Sequence, residues 1–256
     1  MIQSAPATER STADSIRPMC PYDRHADVQR QSAGELLQLT LPFEPERIVE
    51  PGCGTGIYTR LLLDTFPRAE LRGLDIHPEM LHIARAKFGG EATFRHIDAE
   101  EYDEAPVDLI SSNATFQWFH DLPGTIRRYA ELLRPGGRLT FSFYGPETYR
   151  ELDAALREAS EGTRRVVAAD FARPHELRQA LGEAFPRWSV QERRYIRTFP
   201  SLPALLRNIR HTGIHNPHRR RKAWNPGLIS DVRRIYRDNC GAIRATYQVF
   251  FCRGDR

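Results

Sequence analysis

The chain has 256 residues, 40% hydrophobic and 27% charged, with a net charge of +4; this is the make-up of an ordinary soluble globular protein with room for a sizeable core. Every apolar run falls short of the about 20 residues that a membrane-spanning helix needs, and the opening MIQSAPATERSTADSIRPMC lacks the apolar segment of a signal peptide. Cys20, Cys53, Cys240 and Cys252 show no CxxC spacing, so a reduced cytoplasmic compartment is expected.

Residues 1–20 are polar and small and read as a disordered arm; residues 21–256 read as one domain. Residues 23–40 form an amphipathic pattern with Ala26, Ala33, Leu36 and Leu37 on one side of a helix. RIVEPGCGTG is a short apolar strand running into a glycine loop, and IYTRLLLDTF is the helix after it. ELRGLDI is a second strand ending in an acid. PEMLHIARAKF is a helix with Pro78 near its start, where a missing N–H costs nothing. ATFRHIDAEEY is a third strand ending at Asp98, and PVDLISSN a fourth. LPGTIRRYAELL is a helix stopped by Pro135-Gly136-Gly137, and RLTFSFYG a fifth strand. Five alternations with short connections predict an open, doubly wound α/β layout, a parallel sheet covered on both faces.

Two helices follow, PETYRELDAALREAS and RPHELRQALGEAF, and then a strand, WSVQERRYIRTF. ATYQVFFC (245–252) is the closing strand. Between these two strands, residues 200–240 read as a helical insertion over the carboxyl edge of the sheet. Its first helix carries Leu202, Leu205, Leu206 and Ile209 on one face, with Ser201 as N-cap; its second carries Leu228, Val232, Ile235 and Tyr236. From Arg187 to Arg237 thirteen basic residues face two acidic ones, a net of +11 that leaves −7 for the remainder. That asymmetry points to an anionic partner on one face.

In open α/β sheets ligands bind beyond the carboxyl ends of the strands, where strand order reverses. EPGCGTG lies at the end of the first strand, and Asp75, nineteen positions after Gly56, ends the second. A carboxylate there can accept both hydroxyls of a ribose. The dinucleotide fingerprint is GxGxxG with a pyrophosphate at the helix start. Here the spacing is GxGxG, preceded by Glu50. An acid at that place repels a pyrophosphate and suits a ligand with ammonium and sulfonium charges. The plain alternative is that the glycines only make a tight turn.

The order Glu-x-Gly-x-Gly-x-Gly, LDIHPEML and HIDAEE is similar to that of Rossmann-like methyltransferases and makes S-adenosylmethionine the expected cofactor. Glu50 then faces its methionine part, and Gly52, Cys53, Gly54 and Gly56 pass beneath it. Asp75 holds the ribose, and Ile76 and Met80 pack on the adenine. Asp98, with Ala99 beside it, accepts from the adenine amino group. Asn113 and Ala114, ending the fourth strand, lie nearest the reacting methyl. Cys53 reads as a packing residue.

Four further stretches resemble the malonyl-acyl carrier protein O-methyltransferases of biotin synthesis: YDRHADVQ (22–29), SNATFQWFHDLPGTIRRYAELLRPGG (112–137), FSFYGPETYREL (141–152) and TYQVFF (246–251). The resemblance runs from about Tyr22 to Phe251. It implies a Rossmann-like fold: a mostly parallel seven-stranded sheet with helices on both faces and a small helical insertion before the last strand. It also implies methyl transfer to the free carboxylate of a malonyl thioester on acyl carrier protein. A carboxylate is already ionised at neutral pH, so no general base is required, only alignment and loss of solvent.

Tyr22, Gln117, Trp118 and Tyr144 are the expected walls of the acyl pocket, although Tyr22 reads almost as well as core and at least one of Phe116, Trp118 and Phe119 is expected to be core. Arg207 or Arg210 is placed to hold a carboxylate or the prosthetic phosphate. Arg207, Arg210, Arg219, Arg220, Arg221, Lys222, Arg233 and Arg234 form a candidate landing face for an acidic carrier protein; the alternative is a solvated outer face. His211, His215 and His218 lie close together without an acid or cysteine to complete a metal site, so no metal is expected. Other acceptors left open are a small free acid such as trans-aconitate, a quinone, and RNA. Against RNA, the chain lacks the Asp/Asn-Pro-Pro-aromatic segment of base-amino methyltransferases.

Overall fold

The computed structural model describes residues 20–104, 106–212 and 224–256. The chain begins with α1 (Pro21–His25) and α2 (Asp27–Thr40), followed by β1 (Arg47–Pro51), α3 (Ile57–Thr65), β2 (Glu70–Asp75), α4 (Pro78–Phe88) and β3 (Thr93–His96). Next come β4 (Val107–Asn113), α5 (Leu122–Leu132), β5 (Leu133–Tyr144), α6 (Arg150–Ala159) and α7 (Pro174–Ala184). The last elements are β6 (Arg187–Phe199), α8 (Leu202–His211), α9 (Pro226–Cys240) and β7 (Ile243–Asp255). The strands form one seven-stranded sheet, ordered β3-β2-β1-β4-β5-β7-β6. Pairing is parallel from β3 to β5, while β7 runs antiparallel to both β5 and β6. Strand order reverses between β1 and β4, which opens a crevice at their carboxyl ends.

Side-chain alternation along β5 shows which helices lie on which face. The Thr140 hydroxyl meets that of Thr40 on α2 at 3.0 Å. Its neighbour Phe141 points the other way and stacks on Phe116 at 4.1 Å, which in turn meets Tyr129 of α5 edge-on. Successive strand residues face opposite sides, so α2 and α5 cover opposite faces. The α2 face carries a chain of buried hydroxyls, Tyr58 to Ser111 (2.7 Å), Ser111 to Thr140 (2.8 Å) and Thr140 to Thr40 (3.0 Å). Each has a partner, as burial of a polar group demands.

Several boundaries differ from the sequence expectation for local reasons. The helix expected over 23–40 breaks at Ala26, whose φ of −86° and ψ of 37° separate α1 from α2. The third strand ends at His96, and Asp98 instead caps the turn after it by accepting from the Glu100 N–H at 3.0 Å. The helix expected from 146 starts only at Arg150, because Tyr149 takes a left-handed conformation (φ 62°). β5 already pairs at Leu133, with an irregularity between Val107 and Leu109 of β4. β7 extends beyond 245–252 because all thirteen of its residues pair with β6. α9 starts at Pro226, with Asn225 accepting from the Leu228 N–H at 2.7 Å.

β6 is the outer strand, and its exposed arginines discourage edge-to-edge pairing. Its carboxyl end and the start of β7 both lie at the same edge as the crevice, so α8 and α9 emerge there. α8 buries Leu202, Leu205, Asn208 and Ile209, and Ser201 caps it as expected, accepting from the Ala204 N–H at 3.3 Å. α9 buries Val232, Ile235 and Tyr236 and packs chiefly on α6. Leu206 and Leu228, expected on the inner faces, are half-buried.

Candidate active site

At the end of β1 the chain turns through Gly52, Gly54 and Gly56, with φ of 67°, 55° and 87°. Two of these glycines are crowded. A Cβ on Gly52 would lie 2.1 Å from the Thr115 hydroxyl oxygen, and one on Gly56 would lie 2.1 Å from the Phe88 ring. A Cβ on Gly54 would meet nothing within 4 Å. The loop is therefore wedged at both ends and open above its middle residue. The Gly54 N–H donates to Asp75 Oδ2 at 2.8 Å, and the His77 N–H donates to Asp75 Oδ1 at 2.8 Å. A carboxylate offers about four lone-pair sites, so Asp75 keeps capacity for further donors. Its bond to the His77 ring raises the histidine pKa. Beside it, Ile76 is 52% exposed and Met80 half-buried, an apolar shelf facing outward. Ala99 is buried, and its carbonyl accepts from the Tyr129 hydroxyl at 2.7 Å.

Glu50 is buried in β1 and accepts from the Thr59 hydroxyl at 2.6 Å. Loss of solvent pushes its pKa up to about 8, against the opposing pull of the Thr59 bond. A buried acid so perturbed, at the carboxyl end of a strand, is the kind of group that functional sites build. It lines a small cavity with Tyr22, Gln29, Gly54, Tyr58 and Asn113. Cys53 is buried, and desolvation holds its thiol well above the usual range, which suits packing and not nucleophilic attack. A larger hollow at the amino end of β1 is lined by Arg47, Glu70, Arg72 and Glu104, but Arg72 is already paired with Glu70 and Glu104.

The short helix α1 lies against this loop. Asp23 is buried, accepting from the Thr55 hydroxyl at 2.6 Å and from Lys87 Nζ at 2.7 Å, while Lys87 also donates to the Thr55 carbonyl at 2.9 Å. This anchor was not read from the sequence. A lone acid near a helix start looks like an ordinary cap, and its partners lie 32 and 64 positions away. The anchor holds Tyr22 at the cavity, where burial raises the phenol pKa. Asp23→Ala is expected to raise hydrogen exchange across residues 20–26 and to weaken ligand binding at the glycine loop about tenfold. Unchanged exchange, read by mass spectrometry, would contradict the anchor.

At the end of β4, Asn113 is a junction. Its Oδ1 accepts from Ser32 (2.9 Å) and Ser142 (2.6 Å), and its Nδ2 donates to the Gln29 carbonyl at 3.0 Å. It ties α2 to β5 at the cavity wall. Ala114 follows with φ 60°, a conformation that costs a residue with a Cβ about 1–2 kcal/mol. Strain of this sort gathers at working sites. Gln117 donates to the Ala114 carbonyl at 2.6 Å and accepts from the Tyr144 N–H at 3.4 Å, so it braces that turn. Phe116 is core; Trp118 is half-buried, edge-on to Phe171 at 5.3 Å. Tyr144 is buried at the end of β5.

Arg207 and Arg210 are exposed, on the side of α8 away from its buried residues. The inward residue is Asn208, which donates to the His25 carbonyl at 3.1 Å and accepts from the Tyr247 hydroxyl at 3.0 Å. Above it the rings of His25 and His211 stack, 4.9 Å apart. Together these contacts clasp α8 to α1. Arg233 and Arg234 are exposed on α9, Arg234 lying 3.7 Å from Asp238. His215, His218, Arg219, Arg220, Arg221 and Lys222 lie outside the described residues. Among the described residues, no cluster of three His, Cys, Asp or Glu side chains is placed to hold a metal ion, and no helix is long and apolar enough to cross a membrane.

A family model described as a methyltransferase domain matches residues 49–141. The chain is 32% identical over 248 residues to a malonyl-acyl carrier protein O-methyltransferase of Acetivibrio thermocellus, covering 90% of this chain and 87% of that one. It is 33% identical over 245 residues to a protein of the same name from Anoxybacillus flavithermus, covering 90% of each. Among solved structures, the YcgJ protein from Bacillus subtilis superposes with a TM-score of 0.62 at 15% identity, over 88% of this chain and 98% of that one. The N-methyltransferase NodS from Bradyrhizobium japonicum, solved with S-adenosyl-L-homocysteine, superposes with a TM-score of 0.51 at 16% identity over 92% of each chain. At such identities the superpositions speak for the fold alone.

Proposed function

The chain belongs to the malonyl-acyl carrier protein O-methyltransferase family, and from that premise we propose that it methylates the free carboxylate of a malonyl thioester on acyl carrier protein, using S-adenosylmethionine, in biotin synthesis. What carries this reading is the match over 90% of the chain to relatives of that name, each covered over 87% or more of its length. The glycine loop and Glu50 support the cofactor. Gly54 leaves an open approach to the backbone, and the buried Glu50 supplies a carboxylate for a cation. S-adenosylmethionine brings an electrophilic methyl group on a sulfonium, with an ammonium at its other end.

The residues then divide the work. Glu50, once ionised, answers the positive end of the cofactor across the cavity. Asp75, fixed by the Gly54 and His77 N–H groups, turns its remaining lone pairs toward the ribose. Ile76 and Met80 cover the adenine, and Asp98 and Ala99 lie at its rim. Asn113 and Ala114 shape the end of β4 near the methyl, and Asn113 acts mainly by fixing α2. Tyr22, held by Asp23, closes the cavity to water. Gln117, Trp118 and Tyr144 bound the acyl side, with α8 and α9 as its cap. A malonyl carboxylate needs no proton removed near pH 7, so orientation and dryness supply the rate.

Arg207 and Arg210 stand beside the α1–α8 clasp and make no ion pair among the described residues. They fit the landing face for an acidic carrier protein, with Arg233, Arg234 and the sequence run Arg219–Lys222 extending its charge. Reversing both, Arg207→Glu with Arg210→Glu, is expected to raise KM for malonyl carrier protein about tenfold or more. Malonyl-pantetheine, which lacks the carrier's surface, should be used as before. Equal losses on both substrates would leave these arginines as a solvated face. The substrate itself is tested by comparing kcat/KM for malonyl carrier protein, malonyl-CoA, trans-aconitate and RNA. Preference for either of the last two sinks the proposal.

A further inference from the structure

Among the described residues, the buried side-chain polar atoms without a hydrogen-bond partner are three phenol oxygens, those of Tyr144, Tyr149 and Tyr195. They gather around one ring. Tyr144 lies 6.3 Å from Tyr247, Tyr149 meets Tyr247 edge-on at 5.0 Å, and Tyr195 stands opposite Tyr247 in the β6–β7 ladder. Tyr144 shares the α2 face with Thr140, and ladder register puts Val249 and Tyr247 on that face too. The Tyr247–Asn208 bond sets the cluster beneath the α1–α8 clasp, and Tyr144 lies near Tyr22, which lines the cavity together with Asn113. The Tyr247 hydroxyl is already spent on Asn208. Tyr195, on the outer strand beside Glu35, is the outermost of the three.

A buried donor without an acceptor is costly, and native structures keep few of them. Two such donors, Tyr144 and Tyr149, both lie against the Tyr247 ring, the second on a residue held at φ 62°. The Tyr149 hydroxyl lies close enough to Tyr247 and Thr212 to feel both, yet neither meets it with the distance and angles of a hydrogen bond. Among the described residues, Arg207 and Arg210 face outward, and Arg193 and Arg197, the cations nearest Tyr195 and Tyr247, are engaged with Glu35 and Gln31. Burial holds both phenols well above their usual pKa, so they stay protonated and can only donate to a newcomer that accepts.

Building on the reaction proposed above, we propose that the hydroxyls of Tyr144 and Tyr149, and not an arginine, receive the carboxylate of the acyl substrate when it enters beneath the α1–α8 clasp. The chemistry favours neutral donors. A guanidinium would neutralise the anion that must attack, whereas phenols orient it and leave its charge to be answered by the cofactor's sulfonium.

The test measures affinity for malonyl and acetyl carrier protein in the presence of saturating S-adenosylhomocysteine, for the wild type, Tyr144→Phe and Tyr149→Phe. The wild type should prefer the malonyl form, and each Phe variant should cut that preference about tenfold. S-adenosylhomocysteine affinity should hold, and Tm should hold or rise, since an unpartnered hydroxyl has been removed. An unchanged malonyl-to-acetyl ratio in both variants overturns the proposal, as does a fall in Tm that accounts for the loss. Should the wild type prefer a different acid and the Phe variants erode that preference, the phenol site stands and the malonyl reading falls.

Discussion

Glu50→Gln is expected to weaken S-adenosylmethionine binding about a hundredfold, the scale of a buried charge-assisted contact. Burial outweighs the Thr59 hydrogen bond and pushes the pKa of this carboxyl up to about 8. Near pH 7 it is therefore about nine-tenths protonated before the ligand arrives. A cation entering the cavity favours the ionised form, so binding expels close to one proton. Affinity should then rise with pH by up to about tenfold per unit below pH 8 and level off above. Calorimetry in buffers of different ionisation heat reads the proton directly. Stability moves the other way. Between its ordinary 4.5 and about 8 the folded protein keeps a proton that the unfolded chain has lost. Glu50's contribution is thus whole below pH 4.5 and is lost as pH rises through 8. Gln accepts from Thr59 equally well, so the variant should lose that slope, melt higher than the parent above pH 8 and release no proton on binding. A variant that binds the cofactor as tightly as the parent would remove Glu50 from the site.

Gly56→Ala and Gly54→Ala should fail in different ways. At Gly56 the added methyl meets the Phe88 ring at 2.1 Å, on a backbone at φ 87°. Overpacking and left-handed strain together predict a loss of about 2–4 kcal/mol in folding stability. At Gly54 the backbone is also left-handed (φ 55°), but no neighbour lies within 4 Å, so the stability cost is about 1–2 kcal/mol. The Gly54 methyl instead occupies the open side of the loop, and cofactor affinity should fall at least about tenfold. Urea melts and cofactor titrations of the two variants separate these outcomes. Full cofactor affinity in a folded Gly54→Ala protein would mean that the ligand does not pass over this loop.

The sheet was legible because short apolar runs, glycine turns and amphipathic helices alternate, and each of those signals is local. Position at a strand end was legible too, and it placed Glu50, Asp75 and Asn113 along one edge. What their side chains touch was not. Asn113 looked like a group for the cofactor, yet its amide is bound to Ser32, Gln29 and Ser142, partners 29 to 84 positions away. Asp23 gave no signal, because only folding brings Thr55 and Lys87 to it. Helix position puts Arg207 and Arg210 on one side of α8, and it gives no sign that Asn208 between them points inward to His25 and Tyr247. Aromatic crowding after β4 did not say that Phe116 enters the core while Trp118 stays half-buried. The start of α9 at Asn225-Pro226 was legible in principle, since the cap and the first-turn proline are both present.

The most direct test is the intact mass of malonyl carrier protein after a single turnover with S-adenosylmethionine, with acetyl carrier protein run in parallel. The malonyl form is expected to gain one methyl in place of the carboxyl proton, and the acetyl form to gain nothing. A methyl gained equally by both forms, or by neither while a free acid is methylated, would contradict the proposed reaction.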